Sequence, residues 1–484
     1  MAEKDSPILV WFRLDLRLDD NPALCRAVES GKPVVPVFIW SPEDDGNWPP
    51  GGASRWWLHH SLASLAGSLP QRGSRLIFRV GSAAGILDDL VRETGASAVY
   101  WNRRYEPDLV NRDARIKKML RGQNVEVMSH NGNLLFEPHA TRNKAGGPFK
   151  VFSPFWKHCS QREVGDPFTI GDRRIPSPAK WPGSVRLEDL SLLPTVDWAA
   201  EFPAWWTPGE SEARRRLDDF LSGPVGDYSE ERNYPARDGV SRLSPHLHFG
   251  EIGPRRLFAG AQGKLKRARS GSGRAGISKF LAEVGWREFA HHLLYHYPDT
   301  SENPLRPEFS RFPWRRDRAS LTAWRKGETG YPIVDAGMRQ LWRTGWMHNR
   351  VRMIAGSFLV KDLLLPWREG ARWFWDTLVD ADLASNTLGW QWVAGCGADA
   401  APYFRVFNPV LQGKKFDVDG DYIRQWIPEL KELPGKWIHC PWDAPKDVLD
   451  AAGILPGKTY PTPIIDHHEA RLRALRAFET IKKL

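Results

Sequence analysis

Several short stretches of this 484-residue sequence set carboxylates, amides, guanidiniums and indoles at helical spacing. Glu283, Trp286 and Arg287 stand at i, i+3 and i+4, which puts a carboxylate, a large ring and a guanidinium on one helical face. A carboxylate beside an indole suits hydrogen bonding to a flat, carbonyl-bearing base stacked on the ring; the same spacing also describes an exposed Glu–Arg pair above a core tryptophan. In Trp346-Met347-His348-Asn349-Arg350-Val351-Arg352-Met353, Asn349 and Met353 share a face and Arg352 flanks it. The amide can address the edge of a planar ring system, Arg350 a phosphate, and Met353 an apolar ring. If a helix starts near 383, Asp382, Asn386 and Trp390 fall one turn apart, with Trp392 just beyond. Two acids (Asp380, Asp382), an amide and an indole make a poor core face, so a polar planar ligand is favoured, with Arg352 a natural partner for Asp380.

Phosphate chemistry has its own candidates. Gly239-Val240-Ser241-Arg242-Leu243-Ser244-Pro245 combines a flexible turn, hydroxyls, backbone N–H groups and an arginine, a set able to hold a pyrophosphate or, more plainly, to start a helix. Arg405, Asn408, Gln412, Lys414 and Lys415 lie among aromatics, as in single-strand nucleic-acid grooves. Lys264, Lys266, Arg267, Arg269 and Arg274 read more simply as a solvated face. The whole chain carries 68 Lys+Arg against 58 Asp+Glu, a net +10 that favours polyanionic partners. Four scattered cysteines, Cys25, Cys159, Cys396 and Cys440, have no C-x-x-C spacing, which argues against a disulfide framework or zinc cluster, and no metal site is expected. No apolar run approaches a membrane span, and the opening Met1–Asp5 lacks the pattern of a signal peptide, so a soluble, cytoplasmic chain is expected. The 24 tryptophans exceed what packing needs, and stacking or electron transfer is a better reason for them.

The elements that position these residues divide into two kinds. Ile8–Phe12, Val34–Trp40, Arg75–Val80, Ala98–Trp101 and Val125–Met128 read as strands, with helices near 20–30, 54–69, 84–94 and 107–121 between them. This alternation predicts right-handed crossovers and a five-stranded parallel sheet, a Rossmann-like α/β domain over residues 1–130. The usual G-x-G-x-x-G after the first strand is absent. Residues 131–205, rich in Pro and Gly, predict a connector. From 206 to 484 helical periodicity dominates (Glu210–Leu221, Ser278–Tyr297, Pro332–Arg343, Met347–Leu364, Ala371–Leu378, Leu383–Val393), predicting an all-α domain.

In order, W-F-R-L-D-L-R-L-D-D-N-P-A-L (11–24), G-V-S-R-L-S-P (239–245), W-R-E-F (286–289), T-G-Y-P-I-V-D-A-G-M-R-Q-L (329–341), G-W-M-H-N-R (345–350), D-A-D-L-A-S-N (380–386), G-W-Q-W (389–392), F-N-P (407–409) and Y-P-T-P-I-I-D-H (460–467) resemble the DNA photolyase/cryptochrome family over nearly the whole chain. The resemblance implies FAD in the helical domain, its pyrophosphate against Ser241, Arg242, Leu243 and Ser244 with Tyr228. Val240 replaces a threonine common in relatives. Trp346, Arg352, Asp380 and Asp382 would surround the flavin, and Asn386 would face its reactive ring nitrogen, where an uncharged amide resembles repair enzymes. The implied activity is that of a deoxyribodipyrimidine photo-lyase: light-driven repair of cyclobutane pyrimidine dimers in UV-damaged DNA, by electron transfer from excited reduced FAD to the flipped-out lesion.

By the same resemblance, Glu283, Asn349 and Met353 would contact the dimer between Trp286 and Trp392, and Arg232, Arg350, Arg405 and Gln412 would hold the DNA backbone. Trp390, Trp367 and Trp314 match a chain that re-reduces oxidised FAD; Trp342, Trp373 and Trp375 form a branch or fill space. Glu106 matches an antenna acid, suggesting methenyltetrahydrofolate, with an 8-hydroxy-deazaflavin or no antenna as the alternatives. A monomer is expected, associated with the nucleoid if the source is prokaryotic. The runner-up is a cryptochrome-type blue-light photoreceptor; relatives of that kind usually add a C-terminal extension, and 17 residues follow His467 here.

Overall fold

The computed structural model describes residues 6–268 and 271–482, so Met1–Asp5 and Arg269 of the basic run lie outside the described residues. The chain groups into two compact units. The first takes the described residues up to Gly226, together with Ser241–Pro298 and Val379–Leu383; the second takes Asp227–Val240, Asp299–Leu378 and the described residues from Ala384 onward.

The first unit is built on a five-stranded parallel sheet of β1 (Ile8–Phe12), β2 (Val34–Trp40), β3 (Ile77–Val80), β4 (Ala98–Asn102) and β5 (Glu126–His130), in the order β3-β2-β1-β4-β5. Trp11 of β1 is level with Val37 of β2 and Trp101 of β4. Buried on both faces, the central strands are continuous apolar runs, which is why they were legible. The helices α1 (Pro22–Glu29), α2 (Gly52–Ser68), α3 (Ala83–Thr94) and α4 (Pro107–Gly122) fall where the alternation placed them. β5 begins later than expected because the Val125 N–H closes the end of α4 on the Leu120 carbonyl (3.1 Å) after Asn124 turns left-handed. The connector is tied to this sheet, with Val185 bridging Phe78 and the Val34 N–H donating to the Pro176 carbonyl (2.7 Å).

Ligands of such sheets bind where the strand order reverses, here between the carboxyl ends of β1 and β4. In this chain a buried polar network occupies that point. Arg13 donates to Asp113 (2.6 Å), and Asn102 donates to Asp15 (2.6 Å) and to Asn21 (2.8 Å). Arg13, Asp15 and Asn21, in the stretch after β1 that stands in place of a glycine fingerprint, are members of this network.

The second unit is helical. Its Thr329-Gly330-Tyr331-Pro332 turn and the distant Tyr460 converge on one buried carboxylate: Asp335 accepts the Thr329 N–H (2.8 Å) and hydroxyl (2.6 Å), the Gly330 N–H (2.9 Å) and the Tyr460 hydroxyl (2.6 Å). Gly330 has φ +79°, and a Cβ there would meet the Pro463 nitrogen at 2.5 Å, so two motifs far apart in sequence form one clamp.

Three helices depart from expectation. Met347–Leu364 is not one helix: it starts at Asn349, capped by the His348 ring accepting the Arg350 N–H (3.2 Å), and ends at Ser357. A π-helical turn, Phe358–Asp362, follows, with Leu364 left-handed at φ +56°. The helix expected from Ala371 starts at Trp367, directly after Pro366, and the one expected from Ser278 starts at Ser272. No helix among the described residues is long and apolar enough to cross a membrane.

Candidate functional site

In the first unit, the helix Ser272–His296 carries Glu283, Trp286 and Arg287. Trp286 stacks face to face on Phe152, with ring centroids 3.8 Å apart and 8° between planes. Gly285 lets this helix press on a second ring, since a Cβ there would lie 2.4 Å from Trp156. Glu283 is half-buried, 3.2 Å from Lys279. Arg287 donates to the Asn133 carbonyl (2.8 Å).

One turn further along, His291 reaches Asp382. Its Nε2 lies 3.4 Å from the carboxylate, and the His248 Nδ1 lies 3.9 Å from the same oxygen. Burial alone would raise the Asp382 pKa, but the two imidazoles hold it well below the ordinary carboxylate range. Burial would likewise lower His291, yet Asp382 raises it above its ordinary value. The pairing favours the anionic carboxylate and the protonated imidazole together. Neither histidine was singled out from the sequence; the two histidines of S-P-H-L-H and H-H after W-R-E-F were the available signal.

The turn preceding these groups is specialised. Arg242 is left-handed (φ +50°), and the half-buried Ser241 hydroxyl accepts the Leu243 N–H (3.4 Å) at the entry to the short helix Ser244–His248. Behind it, the buried His246 pairs with Glu251, which also accepts the Trp57 indole N–H (2.9 Å). Glu106 is clasped by Arg104 (3.0 Å) and by the Tyr105 N–H (3.0 Å). Burial opposes ionisation there, but Arg104 wins and lowers the carboxyl to about 2.

In the second unit, Tyr228 opens a short helix, is buried, and has the Arg232 guanidinium 5.4 Å from its ring. Asn233 accepts from Arg350, whose guanidinium also lies 4.3 Å from the Phe416 ring. That brings Arg232, Arg350 and the helix Pro409–Phe416, which bears Gln412, to one place. Asn349 is exposed and Met353 half-buried one turn on. Arg352 donates to the Met347 carbonyl (2.7 Å) and lies 6.0 Å from the Trp346 ring. Asn386 donates its amide nitrogen to the Ala371 carbonyl (3.0 Å), which fixes the side chain and leaves its oxygen available. Between Trp390 and Trp392, Gln391 donates to the Thr300 (2.7 Å) and Asn303 (2.8 Å) carbonyls and so pins that turn.

Trp390 sits edge-on to Phe374 (4.9 Å) and to Trp324 (6.2 Å). Its ring occupies the space of a missing side chain: a Cβ on Gly370 would lie 2.0 Å from it. Trp367 is one turn before Gly370 on the same helix, so the two expected relay residues are brought together. Trp314 lies 4.3 Å from Phe312, and the next residue, Arg315, donates to the Leu364 carbonyl (2.8 Å), which ties Trp314 to the approach to Trp367. Trp342 and Trp373 stack in parallel, 6.0 Å apart with 5° between planes.

Residues 8–177 match the family described as DNA photolyase, and residues 280–480 match the FAD binding domain of DNA photolyase. The chain belongs to the DNA photolyase family. It is 51% identical to the deoxyribodipyrimidine photo-lyase of Agrobacterium fabrum, covering 100% of each chain. It is 42% identical to cryptochrome-1 of Arabidopsis thaliana over 98% of this chain and 70% of that one. A bacterial class III photolyase from Agrobacterium tumefaciens superposes with a TM-score of 0.95 at 50% identity, covering 100% of this chain and 99% of that one. The FAD reading of this photolyase-family chain is consistent with its own residues: an anionic carboxylate (Asp382), a fixed neutral amide (Asn386) and a left-handed Ser/Arg turn are donor and acceptor groups suited to a flavin and its pyrophosphate.

Proposed function

We propose that this protein is a light-driven photo-lyase that repairs cyclobutane pyrimidine dimers in DNA. The observation that carries this reading is the neutral amide of Asn386, held by the Ala371 carbonyl, in a chain 51% identical along its whole length to a deoxyribodipyrimidine photo-lyase. When bound, FAD supplies the light-driven one-electron chemistry. Ser241, Arg242, Leu243, Ser244 and Tyr228 would hold its pyrophosphate, while Trp346, Arg352, Asp380, Asp382 and Asn386 would surround its ring. Trp286, braced by Phe152, and Trp392 are the walls for the flipped-out lesion, which exchanges base stacking for indole stacking. Glu283 and Asn349 hydrogen-bond the base edges, and Met353 packs on them. Arg232, Arg350, Arg405 and Gln412 hold the backbone. Trp390, Trp367 and Trp314 would form the path along which an electron from an external reductant reaches the bound flavin. For the antenna, methenyltetrahydrofolate with Glu106 as its acid is the favoured reading.

One preparation tests the whole assignment. The reduced, FAD-loaded protein is expected to restore adjacent pyrimidines in dimer-containing DNA under blue light and not in the dark. Robust photoreduction without repair, together with light-dependent capture of a protein partner, would instead establish the photoreceptor. A near-ultraviolet band beyond the flavin spectrum identifies the antenna by its position, and its absence means that none is bound.

A further inference from the structure

Lys361 is buried to 2% exposure, a setting in which an ammonium is costly unless it is paired. It sits in the π-helical turn, and its Nζ donates to the backbone carbonyl of Arg405 at 2.9 Å. That carbonyl lies in the 14-residue irregular connection between the helices Leu383–Ala394 and Pro409–Phe416, a length usually reserved for functional loops. The connection is anchored by two different devices. Tyr403 buries its ring against Phe478 (4.7 Å) and Phe312 (5.2 Å), an apolar plug. Lys361 lies 5.4 Å from that same ring and catches the chain two residues later, where Arg405 turns its side chain to solvent.

The charge on Lys361 is itself supported. Asp362 is fully buried beside it and is shared with His467 (2.5 Å) at the start of the helix His467–Lys482; Arg473 of that helix donates to the Asp362 carbonyl. Burial pulls the Lys361 ammonium down to about 8, against the upward pull of Asp362 and with the downward push of Arg405. No part of the flavin or relay chemistry uses this lysine. We propose that Lys361 is a positioning residue for DNA binding, whose buried ammonium fixes the Pro402–Asn408 backbone so that Arg405 is presented to the phosphates before the lesion arrives. This role rests on the reading of Arg405 as a backbone contact. Its energetic basis is preorganisation: a loop already fixed does not have to be ordered on binding.

The test uses the full-length, FAD-loaded protein and dimer-containing DNA. Lys361→Met is expected to leave flavin content, photoreduction and repair per bound lesion unchanged, to weaken dark binding about tenfold, and to speed amide exchange across 402–408. In an Arg405→Ala background, Lys361→Met should cost little further affinity, because what it positions is gone. Lys361→Gln, which keeps a donor, should recover part of the binding. Unchanged binding and exchange in Lys361→Met would overturn the positioning role, as would failure of both Lys361 variants to fold. Unchanged binding in Arg405→Ala alone would instead refute Arg405 as a contact.

Discussion

The His291 imidazole directs Nε2 at the Asp382 carboxylate, 3.4 Å away, while its Nδ1 is engaged with the Arg287 carbonyl at 3.1 Å. The two ring nitrogens thus have distinct tasks, and the charged form satisfies both as donors. Because the pair joins Asp382 to the helix that bears Glu283 and Trp286, it ties the carboxylate proposed to face the flavin to the face proposed to take the lesion, within one unit.

The first prediction follows from the signs of the two shifts. The His291 pKa is raised in the folded protein, so its contribution is complete below the unfolded value and is lost as pH rises through the raised one. Asp382 is lowered, so its contribution is present above the unfolded value and is lost as pH falls through the lowered one. Stability and flavin retention should therefore hold across the window between the two and decline on its alkaline side as His291 deprotonates. His291→Ala should lose that alkaline step and cost on the order of 3 kcal/mol, since it removes the nearer of the two imidazoles facing the Asp382 carboxylate. Thermal unfolding of the holoprotein against pH measures both; an unchanged alkaline limb in the variant would remove His291 from the role.

Glu283→Ala is the second test, and it separates ground state from transition state. In the proposed reading Glu283 hydrogen-bonds the lesion, and a contact that strengthens as charge develops during ring splitting acts on the reacting state. Repair quantum yield should fall more than lesion affinity, and a tenfold difference between the two losses corresponds to about 1.4 kcal/mol. Equal losses would make Glu283 a simple binding residue.

How much of this was visible in the sequence depends on how local the cause was. β1 and β2 were legible to the residue because buried parallel strands are unbroken apolar runs. Helix starts were displaced where a cap or a proline decided them, as at His348 and Pro366. The π turn and left-handed Leu364 were illegible, because V-K-D-L reads as ordinary amphipathic helix. The Asp382 cluster was half legible: the acid stood out, but its partners His248 and His291 come from segments some 90–130 residues away. A buried lysine is the least legible of all, since sequence statistics place lysine in water.

A third expectation concerns the relay. Trp390→Phe should block photoreduction of oxidised flavin while sparing repair by protein whose flavin is already chemically reduced, because Trp390 touches Phe374, Trp324 and Gly370 rather than the lesion walls. Trp342→Phe distinguishes the parallel Trp342–Trp373 pair as a branch from a surface stack. A slower residual photoreduction in the double variant than in Trp390→Phe alone would identify a branch, and equal rates would leave the pair a packing feature. Transient absorption of the oxidised protein reads both outcomes.

The last prediction uses salt to assign a phosphate contact. Arg350 is preorganised on two sides, by Asn233 as a hydrogen-bond acceptor and by the Phe416 ring at 4.3 Å. A charge presented this way releases a counterion when it meets a phosphate, and each such contact adds roughly 0.7–0.9 to the slope of log affinity against log salt. Arg350→Ala should weaken binding to damaged and undamaged DNA alike and flatten that slope by about 1. Trp286→Ala should do the opposite, weakening binding to damaged DNA alone and leaving the slope intact, because stacking on an indole releases no ions. Titrations of each variant at several salt concentrations with matched damaged and undamaged duplexes decide the matter, and a slope unchanged in Arg350→Ala would place its guanidinium off the phosphate track.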